Sequence, residues 1–92
     1  MMGDDNQSGQ EVAMLRAEIE MMMSERQSLL RATGAAAVFV ANLDSETLPE
    51  NTYAAADVLA HALNDLPEDT LRDALEVVQP AMESARADQK EQ

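Results

Sequence analysis

The chain has no cysteine and no tryptophan, and its aromatic content is one phenylalanine, Phe39, and one tyrosine, Tyr53. The first absence excludes disulfides and thiolate metal sites. The second leaves the core to aliphatic side chains and to the seven methionines. The three glycines, at positions 3, 9 and 34, are too scattered to build a phosphate-cradling loop. There is one histidine, His61, so no serine can be served by more than that single base, and Ser8, Ser24, Ser28, Ser45 and Ser84 all lack a G-x-S-x-G setting. The longest apolar run, Ala35 to Ala41, falls far short of the roughly 20 residues of a membrane span. The opening Met1-Met2-Gly3-Asp4-Asp5-Asn6 lacks the basic and apolar regions of an export signal. A cytoplasmic protein with no catalytic residue, no cofactor and no metal is expected.

Positive charge is also in short supply. Six bases stand against eighteen acids, for a net charge of −12. Such a chain is repelled by nucleic-acid phosphates and anionic lipids and attracted to basic surfaces. It is therefore expected to bind neither nucleic acid directly nor a membrane. Residues 42–76 concentrate nine acids (Asp44, Glu46, Glu50, Asp57, Asp65, Glu68, Asp69, Asp73, Glu76) against Arg72 alone. The default reading of such a run is a solvated face.

Alanine is abundant, which favours helix, and 92 residues make one domain at most. Residues 1–7 are polar and are expected to be disordered. Ser8-Gly9-Gln10-Glu11 then has the form of a capping box, and Gly34 that of a helix stop, bracketing a first helix at about 8–33. In a heptad begun at Val12, positions a and d are Val12, Leu15, Ile19, Met22 and Leu29, and Met23 and Leu30 add position e. This a/d/e stripe is wider than a chain so small can bury alone. These seven residues are the expected interface of a homodimer or higher oligomer. Arg26 occupies an a position. In a parallel pair Glu11 meets Arg16 of the second copy; an antiparallel pair sets glutamates against each other.

Gly34 to Leu43 is read as a short buried helix, separate from the first or continuous with it through Gly34, since a lone strand would leave its backbone unpaired. Leu48-Pro49-Glu50-Asn51-Thr52 recurs as Leu66-Pro67-Glu68-Asp69-Thr70, with Thr47 and Asp65 as caps. The two segments are read as independent helix starts, giving helices at about 48–64 and 66–79. The first is expected to bury Ala55, Val58, Leu59, Ala62 and Leu63, the second Leu71, Ala74, Leu75 and Val78. Pro80 is expected to end or kink the last helix, with an extension over 81–86 and a mobile tail over 87–92. The fold expected over 8–86 is all-α, a small bundle of three to four helices with a long coiled-coil-like N-terminal helix.

Asp57, His61 and Asp65 stand at i, i+4, i+8, a spacing that can hold a metal or orient an imidazole. They drift around the helix and nothing in one chain completes the set, so His61 reads as a boundary residue. Met14 and Met21 lie at c positions, outside the stripe, and suit an adaptable contact surface. With Asp57, Asp69, Asp73 and Glu76 they form the candidate contact set for a protein partner with a basic surface. The expected function is a non-enzymatic interaction module, a regulator, adaptor or anti-activator that occludes another protein. The alternatives are an acidic nucleic-acid mimic that blocks a DNA- or RNA-binding protein, and a structural subunit of a phage or plasmid accessory assembly.

Overall fold

A computed structural model describes the backbone of residues 2–91 and the side chains of residues 8–89. The fold is all-α: α1 (Met2–Ala41), two single 3₁₀ turns (Ser45–Thr47 and Glu50–Thr52), α2 (Tyr53–Asn64) and α3 (Glu68–Glu91), with no strand among the described residues. The side chains of the expected disordered segment 1–7 lie outside the described residues, as do those at the end of the expected mobile tail 87–92. The backbone is helical from Met2, the start of α1, and again to Glu91, the end of α3.

Neither Ser8 nor Gly34 bounds the first helix. α1 passes through both, so the 34–43 segment is its continuation as far as Ala41. Gly34 is a contact point instead. A Cβ built there would collide with the Ala74 carbonyl oxygen and stand 2.8 Å from Val78 Cβ and 2.9 Å from the Ala74 carbonyl carbon. Only glycine lets α3 approach α1 so closely. The actual stop is Asn42, whose Nδ2 donates to the Val38 carbonyl (2.8 Å). The amides of Asn42 and Leu43 close tight turns onto Phe39 and Val40 (3.2 Å each).

The second helix starts later than its proline signature implies. Leu48 precedes Pro49 and is extended (φ −75°, ψ 138°), the conformation a following proline enforces. Asp44 caps the first 3₁₀ turn, accepting from the Glu46 amide at 3.1 Å, and the Thr47 hydroxyl turns back to the Asp44 carbonyl (2.9 Å). Thr52 does likewise to Pro49 (2.7 Å), and α2 begins only at Tyr53. Asp65 is not a cap for the third helix either. It closes α2, its amide donating to the His61 carbonyl at 3.0 Å, and α3 begins at Glu68, with the Leu71 amide bonded to Pro67. Pro80 sits inside α3 without ending it. Beyond the proline, Met82 lines a hollow with Ala35, Val38 and Phe39 of α1 and with Leu43 just past its end.

Three pairings fix the topology. Arg26 meets Asp73, Gly34 meets Ala74 and Val78, and Met82 reaches the end of α1, so α3 runs parallel to α1. α2 descends between them in chain order, giving an up-down-up arrangement in which both later helices pack on α1. The fully buried apolar core is Leu30, Ala74 and Val78. Around it Leu71, Leu75, Leu59 and Leu63 are half-buried, whereas Ala55, Val58 and Ala62 are exposed, contrary to the expected α2 core, Ala62 on the rim of an open groove against α1. The molecule is long, 71 × 35 × 25 Å with a radius of gyration of 20.1 Å. A compact chain of this length would have about 12 Å.

Candidate functional site

Every residue of α1 from Ser8 to Leu29 is exposed; from Leu30 on, the side facing the other helices is buried or half-buried, while Arg31, Ala35 and Phe39 stay exposed. Leu29 is 69% exposed and Leu30 is 5% exposed. Six of the seven expected interface residues, Val12, Leu15, Ile19, Met22, Met23 and Leu29, lie on this bare half, with Ile19 at 56% exposure. Leu30 does not belong with them. It is buried in the chain's own core, because α2 and α3 pack on the C-terminal half of α1 alone. Leu30 and the stripe share one face of the helix, Val12 and Ile19 lying within about 20° of it at 100° per residue. The same apolar face is thus covered by its own chain at one end and bare at the other.

The bare area is large. The chain exposes 7772 Å², against about 5,200 Å² for a compact folded chain of its 10.0 kDa mass. The excess, roughly 2,500 Å², reflects the elongated shape as a whole, to which the uncovered half of α1 contributes.

Met14 and Met21 are exposed on the opposite side of the same half. The acidic candidates are dispersed. Asp57 stands on α2, and Asp69, Asp73 and Glu76 on α3. Asp73 is half-buried and pairs with Arg26 across the helices (3.6 Å), and Asp69 pairs with Arg72 one turn on. Arg72 is therefore turned toward Asp69, not shared between Glu68 and Glu76 as the i, i+4 spacing suggests. His61, exposed on α2, donates from Nδ1 to the Asp57 carbonyl (2.8 Å), with the Asp57 carboxylate 3.5 Å away. Among the described residues no three carboxylate or imidazole groups gather as a metal site.

One feature of the site has no plain sequence signal. Ala32 and Ala36 of α1, with Leu59, Ala62, Leu63 and Leu66, line an apolar groove between α1 and α2 that is open to solvent. Its one polar side chain, Thr33, donates its hydroxyl to the Leu29 carbonyl (2.8 Å), so the groove offers mainly apolar contact area. Gly34 is the second feature that periodicity does not reveal; its signal is a small residue, Ala74, at the facing position of another helix.

No helix among the described residues is long and apolar enough to cross a membrane. Compared with protein-family models, curated protein sequences and solved structures, the chain shows no match.

Proposed function

We propose that the chain is a non-enzymatic protein–protein interaction module that self-associates through α1 and regulates a second protein, in the cytoplasm, by occluding its working surface. The observation that carries this reading is the bare apolar half of α1. An apolar stripe running from Val12 to Leu29 is far more than scattered surface hydrophobes, and patches of this kind mark association sites. Self-association through a coiled-coil-like seam uses one face. The methionines on the other, Met14 and Met21, supply adaptable contact for a target, and the net charge of −12 draws it toward a basic patch.

The nucleic-acid-mimic alternative is less well supported, since a mimic needs free carboxylates in register. Two of the best placed, Asp69 and Asp73, are matched by Arg72 and Arg26.

Affinity capture with the wild-type chain and with a Met14→Glu/Met21→Glu variant tests the reading. A partner retained by wild type at high salt and lost by the variant is the expected result. A partner lost steeply with added salt, and insensitive to the methionines, overturns occlusion in favour of mimicry.

A further inference from the structure

We infer that the bare half of α1 seats the same half of a second copy, parallel and in register, with Val12, Leu15, Ile19 and Met22 as the seam and Arg26 as its end. The inference rests on the self-association proposed above and adds its orientation and its limits.

Three observations fix the occupant and the direction. The first is composition. The first two a positions of the bare half are β-branched, Val12 and Ile19, and the d positions beside them are the γ-branched Leu15 and the linear Met22. This is the choice that favours two parallel strands, because β-branched side chains at a and long γ-branched or linear ones at d fill the holes of a parallel dimer.

The second is the place where the face changes owner. Arg26, the next a residue, is held at 3.6 Å from Asp73 of its own chain, and Leu30, one turn later, is already in the core. A charged residue at a would oppose its equivalent across a parallel seam. Here α3 arrives at that level and supplies the counter-charge. Contact with the second copy therefore ends at the level where Asp73 of α3 meets Arg26, and the two bundles lie side by side at one end of the paired arms.

The third is charge at the flanks. In parallel register Glu11 of each copy faces Arg16 of the other, and Arg16 has no ion-pair partner among the described residues of its own chain. An antiparallel pair, whose layers set Ile19 against Leu15 and Val12 against Met22, brings Glu18 against Glu18, Glu11 against Glu25 and Arg16 against Arg16, like charge against like. The individual energies are small, yet they all carry the same sign, and sign is what selects orientation.

The absence of cysteine makes the test clean. Sedimentation at micromolar concentration first establishes whether the full chain is a dimer. Leu15→Cys is then oxidised alone, and Glu11→Cys is oxidised as a mixture with Glu25→Cys. The expected result is a dimer in which Leu15→Cys cross-links to itself rapidly and the 11/25 mixture does not. A dimer in which only the 11/25 mixture links overturns the orientation and leaves self-association standing. A folded monomer overturns both.

Charge exchange gives an independent readout that leaves the seam untouched. Glu11→Arg and Arg16→Glu are each expected to weaken the dimer about two- to tenfold, and the double variant to restore it to within about twofold of wild type. A double variant weakened as much as the sum of the singles overturns the parallel pairing.

Discussion

Gly9 and Gly34 lie in the same helix and have opposite surroundings. A Cβ at Gly9 meets nothing within 4 Å, whereas at Gly34 it meets the backbone of Ala74 and the side chain of Val78. The two halves of α1 differ in the same way. From Ser8 to Leu29 the helix carries a strong apolar stripe with no cover, and from Leu30 to Val40 a mostly small-residue surface under two other helices. The larger side chains sit where the chain does not use them, and glycine and alanine sit where it does. The division has a physical reason. At Gly34 the missing side chain lets the α3 backbone come within contact of α1, whereas the bulky stripe before Leu30 has no helix of its own chain against it.

The largest expected effect separates the halves by removing one of them. Ile19→Asp puts a carboxylate into the middle of the seam, where an unpaired charge costs several kcal/mol. Assembly is expected to be lost while Leu30, Ala74 and Val78 keep the bundle folded. Sedimentation reads the first effect and thermal unfolding of the monomer the second. A variant that still assembles would mean that the bare half is not the seam.

Gly34→Ala attacks the other half. In an exposed helix interior the change from glycine stabilises by about 0.5–1 kcal/mol. Here overpacking against a fixed backbone costs about 1–3 kcal/mol, and the cost wins. A midpoint lowered by several degrees in thermal unfolding is expected, since about 1 kcal/mol corresponds to roughly 4–8 °C in a domain of this size. Gly9→Ala carries the opposite sign. With open space around its Cβ it is expected to stabilise α1 by about 0.5–1 kcal/mol, seen as higher helicity of the N-terminal half. Equal effects from the two alanines would abolish the contrast between the halves.

The all-α class was legible in the sequence because alanine, scarce glycine and the heptad pattern all point the same way. So was the core face of α3, where Ala74 and Val78 are buried and Leu71 and Leu75 half-buried. The boundaries were not. Ser8 and Gly34 have the chemistry of helix ends, yet the backbone runs through both, because a capping residue makes a cap only where the chain turns and Gly34 is engaged by α3. The two Leu-Pro-Glu starts part company: α3 begins at Glu68, directly after Pro67 and within two residues of the expected start, whereas Leu48 is held extended before Pro49 and a 3₁₀ turn precedes α2 at Tyr53. In the candidate site, period alone could place Leu30 with Leu29 but could not say that the chain's own helices cover the one and leave the other bare.

The smallest effect tests the junction between the halves. Asp73 is half-buried and reaches from α3 to Arg26, the residue at which the bare stripe ends; Asp69, on the same helix one turn earlier, is fully exposed and pairs locally with Arg72. Partly exposed ion pairs contribute about 0.2–1 kcal/mol and local helical ones a few tenths. Asp73→Asn is therefore expected to lower the unfolding midpoint by a few degrees. It should also weaken self-association, because Arg26 is then left uncompensated at the end of the seam. Asp69→Asn is expected to change neither beyond measurement error. Thermal unfolding and sedimentation of the two variants at matched ionic strength decide it. Indistinguishable variants would mean that Arg26 and Asp73 are only neighbours and that the seam needs no terminator, whereas the expected difference, diminishing as salt is raised, ties the end of the partner's contact to the beginning of α3.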